Sequence, residues 1–84
     1  MEKDEWQLTG EQIRAARALL RIEQKDLAKA AKVSLETVKR LEKMKGAVSA
    51  YDRTVDAIRD ALEKAGVEFL DADNGGPGVR LRGK

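Results

Sequence analysis

The chain has no cysteine and no histidine. Without cysteine there is no disulfide framework and no thiol nucleophile. Without either residue, zinc cannot be held by Cys or His, and the commonest general base is missing. Nothing in such a chain needs an oxidising compartment. Long apolar runs are absent too, and none approaches the roughly 20 residues of a membrane span. The opening Met-Glu-Lys-Asp-Glu-Trp is polar and carries no signal-peptide pattern. These absences lead us to expect a cytoplasmic protein with no membrane, metal or cofactor. They also speak against catalysis. The carboxylates are interspersed with Lys and Arg, as on any solvated helix. The Gly-Gly-Pro-Gly run at 75–78 lacks the lysine and the following helix of a phosphate loop.

At 84 residues the chain makes one small domain. Its core holds few side chains, so oligomerisation would aid stability. The net charge of +2 names no partner, but its distribution is uneven. Residues 1–13 carry one Lys against four Asp or Glu, a net −3. Residues 14–53 carry eleven Lys or Arg against five Asp or Glu, a net +6. Residues 54–84 carry five against six, a net −1. A basic middle of this kind suits a phosphate-facing surface.

Local signals divide the chain into a tail at 1–8, a helical body at 9–66 and a β-hairpin at 67–84. Within the tail, Trp6 and Leu8 are the residues able to dock on the body. Trp6 suits packing better than stacking. Thr9 and Gln12 fit a capping box that starts a helix ending near Arg21. Ile13, Ala16 and Leu20 form its inward stripe, with Leu19 a further candidate. A second helix spans about Gln24–Ala31, with Leu27, Ala28 and Ala31 inward. Ser34 caps a third, held from below by Val38 and Leu41. Ser49 caps a fourth, with Asp52 in its first turn, Tyr51, Val55, Ile58 and Leu62 inward, and Gly66 as a left-handed stop. The period then changes to two. Val67–Leu70 and Val79–Arg82 read as strands joined by turn residues 71–78, with Val67, Phe69, Val79 and Leu81 on one face. The expected fold is mainly α, four helices with a C-terminal β-hairpin.

Residues 24–43 carry the functional signal. Two short helices, a turn of about four residues and basic residues directly after them outline a helix-turn-helix, whose second helix enters the major groove of DNA. With Val38 and Leu41 beneath, Leu35, Glu36, Lys39, Arg40 and Lys43 lie on the outer face.

Gln24, Asp26-Leu27-Ala28, Val33-Ser34, Thr37-Val38 and Arg40-Leu41-Glu42 make residues 9–66 resemble the Xre/Cro family of helix-turn-helix repressors, the lambda-repressor-like fold. The resemblance implies that Gln24 holds a phosphate. It implies that Ser34, Leu35, Glu36, Lys39 and Arg40 line the major groove, and that Lys43, Lys45 and Arg53 touch the duplex backbone. It also implies an ion pair between Arg17 and Glu42. Val67–Arg82 resembles the hairpin tail of small members. The chain departs from the family in two places: Lys32 stands where a left-handed Gly is usual in the turn, and Met44 where a Gly usually ends the third helix.

The residue types suit the task. Arg40 can donate two bonds to guanine, Glu36 can accept from a cytosine amino group, and Leu35 can rest on a thymine methyl. Lys39 can reach guanine or phosphate. Lys25, Lys29, Lys43, Lys45 and Arg53 supply charge without sequence information. Plainer roles stand beside these. Lys39 and Arg40 can solvate an exposed face, Leu35 can cover its own helix turn, and Gln24 can cap its own helix. Arg80 and Arg82 can face nucleic acid or serve as edge charges against aggregation.

The resulting expectation is a sequence-specific, non-enzymatic, nucleoid-associated transcriptional regulator, a repressor that binds palindromic double-stranded DNA as a homodimer. Val67, Phe69, Leu70, Val79 and Leu81 are the candidate dimer surface; the alternative is a hairpin folded only onto its own helices. A rival reading uses the same fold as a protein-interaction module, an antiactivator or antitoxin with a protein partner.

Overall fold

The computed structural model describes residues 8–48, 52–70 and 77–83, and for Asp52 its backbone alone. Trp6, the cap at Ser49, Tyr51, the side chain of Asp52 and most of the 71–78 turn lie outside this description. Four helices precede a two-stranded sheet: α1 Gly10–Leu20, α2 Gln24–Ala31, α3 Leu35–Glu42, α4 Asp52–Ala65, β1 Val67–Leu70 and β2 Gly78–Leu81.

Each helix start follows from local chemistry. Thr9 Oγ1 accepts the Gln12 N–H, and Gln12 Oε1 accepts the Thr9 N–H, both at 3.0 Å. This reciprocal box begins α1. The N-cap of α2 is Glu23, whose N–H donates to Asp26 Oδ2 at 2.8 Å, so Gln24 is not the cap. Ser34 Oγ accepts the Thr37 N–H at 3.1 Å and starts α3. Two helices end on left-handed residues that carry side chains: Arg21 with φ 60° after α1, and Lys32 with φ 61° after α2. Gly66, with φ 122°, turns the chain from α4 into β1.

The core gathers Ile13 and Ala16 from α1, Leu27 and Ala28 from α2, Val38 and Leu41 from α3, and Ile58 and Leu62 from α4. Val67 and Phe69 close it from the hairpin. Leu8 docks on the body and is buried, its C=O accepting the Val48 N–H at 2.9 Å. Three side chains differ from the expected pattern. Leu19 is 39% exposed, on the outer side of α1. Leu20 and Val55 are only half-buried.

The strands are antiparallel, pairing Val67 with Leu81, Glu68 with Arg80, Phe69 with Val79, and Leu70 with Gly78. Strand β2 thus starts one residue earlier than the turn signals suggested. Gln12 clamps both strands: its Nε2 donates to Leu70 O at 3.2 Å and to Gly78 O at 2.8 Å. Among the described residues, no helix is long and apolar enough to cross a membrane, and no group of His, Cys, Asp or Glu could hold a metal ion.

Candidate functional site

Helix α3 is amphipathic, and its two sides are sharply divided. Val38 and Leu41 are fully buried, while Glu36, Lys39, Arg40 and Lys43 are exposed and Leu35 sits at 36% exposure. The hydroxyl of Ser34 is committed to the cap and lies 2.8 Å from Thr37 Oγ1. Glu36 and Arg40 are four residues apart, yet no ion pair joins them. Neither side chain has a hydrogen bond or ion pair among the described residues.

Below this face lies a buried carboxylate. Glu42 accepts from Arg17 Nε at 2.6 Å and from Arg17 Nη2 at 2.9 Å, a two-pronged pair between α1 and α3. Gln24 Nε2 donates to the same carboxylate at 3.0 Å. Arg17 Nη1 also donates to Ile22 O at 3.0 Å. The hydrogen bond to Glu42 raises the Arg17 pKa against the opposing effect of burial. Three elements are therefore tied at one point, and the tilt of α3 is fixed from beneath. Gln24 is placed by Glu42 rather than by a helix end.

The C-terminal end of α3 is fastened by α1. Arg14 Nη1 donates to Glu42 O. The Gly10 N–H donates to Gly46 O at 3.2 Å, and Glu11 Oε1 accepts the Gly46 N–H at 3.1 Å. Hydrogen bonds from its own main-chain N–H and from the Gly46 N–H, with the nearby charges of Arg14 and Lys45, hold the Glu11 carboxyl below its ordinary pKa. The helix ends on Lys43 in right-handed geometry, and the left-handed residue of the loop is Gly46, with φ 77°. Gly46 thus supplies the turn that Met44 cannot. Sequence reading missed Glu11 and Arg14, because both look like ordinary surface charges on a helix.

An open cleft of about 360 Å³ brings Gln24 and Lys25 of α2 beside Leu35 and Lys39 of α3, with Arg17 and Glu23 completing its wall. Lys25 and Glu23 are 3.9 Å apart, and both are largely exposed. Arg53 is exposed on the first turn of α4.

The cations fall into two populations. On α4 and the hairpin they are matched: Arg59 to Glu63 and Lys64 to Asp60 at 3.3 Å, and Arg80 to Glu68 at 3.2 Å. Arg82 Nη2 donates to Glu63 O at 3.0 Å and to Val67 O at 3.2 Å. Arg21, Lys29, Lys32, Lys39, Arg40, Lys43, Lys45 and Arg53 have no ion-pair or hydrogen-bond partner for their side chains among the described residues. Cations without such a partner thus run from the end of α1 through α2, α3 and the loop after α3 to the first turn of α4.

The hairpin corrects one expectation. Val67 and Phe69 are 0% and 8% exposed, because α1 and α4 lie beneath them, so they cannot form a surface between subunits. Leu70 and Val79 are half-buried, and Leu81 is 51% exposed. Arg80 and Arg82 are exposed on or beside β2, Arg80 paired with Glu68 of β1 and Arg82 with the carbonyls named above. Comparison with protein-family models gives no match, and neither does comparison with curated protein sequences.

Proposed function

We propose that this chain is a sequence-specific DNA-binding transcriptional regulator of the Xre/Cro type, with a lambda-repressor-like helix-turn-helix built from α2 and α3. It acts as a homodimer on a palindromic operator and represses by occluding a promoter. The observation that carries this reading is the run of unpartnered cations from Arg21 to Arg53, with Lys39, Arg40, Lys43 and Lys45 on or directly after α3, against the matched cations of the rest of α4 and the hairpin. Fixed positive charge of this kind costs self-repulsion in the free protein, and it gains when phosphates replace the missing counterions. On the outer face of α3 Arg40 reads guanine, Glu36 accepts from a cytosine amino group, and Leu35 rests on a thymine methyl. Lys39 reaches a base or a phosphate. Gln24, Lys25, Lys43, Lys45 and Arg53 set the register on the backbone. The Arg17–Glu42 pair supplies the rigidity that base readout requires.

Selection of bound sites from random duplexes, followed by anisotropy titration on the selected site, tests the proposal. The expected result is a two-fold symmetric site. Arg40→Ala and Glu36→Ala lose discrimination of about 1–3 kcal/mol at one base position each. Lys43→Ala and Lys45→Ala weaken all sequences alike and reduce the log–log salt slope by about 0.9 per contact. Wild-type affinity in both Arg40→Ala and Glu36→Ala would refute the assignment of α3 as the reading helix. Absence of DNA binding together with a stoichiometric protein partner would establish the antiactivator or antitoxin use of this fold instead.

A further inference from the structure

The acidic start of the chain meets its basic middle at one end of the fold. Leu8 and Thr9 run antiparallel to the loop after α3. Thr9 bridges Ala47, Leu8 O accepts the Val48 N–H at 2.9 Å, and the Gly10 N–H donates to Gly46 O at 3.2 Å. Leu8, where the described residues begin, is thereby fixed beside this loop. The loop carries Lys45, follows Lys43 and leads to Arg53 on the first turn of α4. All three cations are exposed and have no ion-pair or hydrogen-bond partner among the described residues. Glu11 stands at the same place, but its Oε1 is already taken by the Gly46 N–H at 3.1 Å. Even with Glu11 counted, three cations against one carboxylate leave this end at +2.

Residues 1–7 carry the complementary charge. Glu2, Asp4 and Glu5 stand against Lys3, a net −2. A chain spans at most about 3.3–3.6 Å per residue, so Glu5 lies within about 10 Å of Leu8 and Glu2 within about 20 Å. The cations fall in the same range. Lys45 is three residues from Val48, the partner of Leu8, and Arg53 is five, at most about 10 and 17 Å of chain. A tether this short presents the carboxylates at a millimolar effective concentration, so even weak exposed ion pairs fill the patch. We propose that Glu2, Asp4 and Glu5 dock on Lys43, Lys45 and Arg53 and screen them, as a built-in competitor of duplex DNA. The competition rests on the proposed function; the docking draws only on charge and chain connectivity. DNA has to displace the segment whatever its sequence, so all duplexes are weakened by one common factor. Salt loosens the docked segment as well as the DNA, so the chain has a shallower salt dependence than its cations alone would give.

Trp6 is the sole tryptophan and lies within the segment, so its emission reports docking with no DNA present. In the wild type, acrylamide quenching of Trp6 rises between about 0.01 and 1 M salt, as the screening length falls from about 30 to 3 Å. Two triple variants lose that dependence and are quenched at low salt as at high salt. One carries Glu2→Gln, Asp4→Asn and Glu5→Gln; the other carries Lys43→Ala, Lys45→Ala and Arg53→Ala. In anisotropy titrations at low salt, the first variant binds a selected site and a random duplex about three- to ten-fold more tightly than the wild type, by the same factor for both. Its log–log salt slope is steeper. Glu5→Gln alone tightens binding more than Asp60→Asn, which removes one charge beside Lys64 in the distal half of α4. Trp6 emission indifferent to salt overturns the proposal, as does equal salt sensitivity in the Lys43, Lys45, Arg53 variant. So does duplex affinity unchanged by neutralising the segment. A salt-sensitive Trp6 in a chain that binds no duplex refutes the regulator and keeps the docking, while duplex binding with an indifferent Trp6 does the reverse.

Discussion

Replacing Glu42 by Gln tests the anchor of the reading helix. The Glu42 side chain is 3% exposed, and that of Arg17 is 21% exposed. The carboxylate takes two hydrogen bonds from Arg17 and one from Gln24. Hydrogen bonds to charged groups contribute about 1.5–3 kcal/mol each. Glutamine keeps the shape but turns one acceptor into a donor aimed at a guanidinium. One Arg17 bond is lost and a donor faces the guanidinium in its place, while the remaining amide oxygen is only a neutral acceptor and water reaches part of Arg17. The loss is about 3 kcal/mol, at the low end for breaking a buried pair. In a domain this small, each kcal/mol moves Tm by about 4–8 °C, so Tm falls by roughly 12–24 °C. Urea and thermal unfolding followed by circular dichroism measure both quantities. The cycle with Arg17→Met and Glu42→Leu sharpens the test. Replacing both charges with apolar groups leaves no unpaired charge, so the double variant is more stable than Arg17→Met or Glu42→Leu alone. A Glu42→Gln loss below about 1 kcal/mol would refute the reasoning, as would a double variant no better than the worse single one.

Three further outcomes follow from the packing and the charges. A methyl group at Gly10 would sit 2.2 Å from Met44 O and 2.6 Å from Leu41 O, so Gly10→Ala forces α1 off the end of α3. Despite the helix propensity of alanine it lowers stability by about 1–3 kcal/mol in urea melts. Lys32→Gly relieves a side chain from φ 61° and raises stability by about 0.5–1 kcal/mol in the same assay. Glu11 and Glu68 both titrate below their ordinary 4.5, Glu11 through main-chain N–H groups and Glu68 through Arg80. Their contribution is present above that value and disappears as pH falls through the lowered folded values. Stability measured from pH 6 down to 3 therefore drops less steeply in Glu11→Gln, Glu68→Gln than in the wild type; equal slopes would contradict these contacts.

Much of the helical layout was legible because its signals are local. The Thr9–Gln12 box, the Ser34 cap and the 3.6-residue spacing of Leu27, Ala31, Val38 and Leu41 need only near neighbours in sequence. Those same spacings fixed which side of α3 faces outward. The left-handed Lys32 came from resemblance rather than from its chemistry, and the equivalent Arg21 gave no signal at all. Gln12 was visible as a cap but not as the clamp on Leu70 and Gly78, because those partners lie 58 and 66 residues away. Gly10, Glu11 and Arg14 look interchangeable with any first-turn residues until α3 ends against them.

The order of side chains along the chain determined the four helices, the hairpin, the inward rows and the outward set Leu35, Glu36, Lys39 and Arg40. Periodicity and capping act over one or two turns, so no distant contact is needed to state them. Tertiary structure alone decided which charges are spent and which remain free. Arg80 and Lys39 are both exposed cations, and only the fold sets Glu68 beside the first and, among the described residues, no ion-pair partner beside the second. Compensation depends on distances of a few ångströms between segments far apart in sequence, and those distances exist only once the helices and the hairpin have packed.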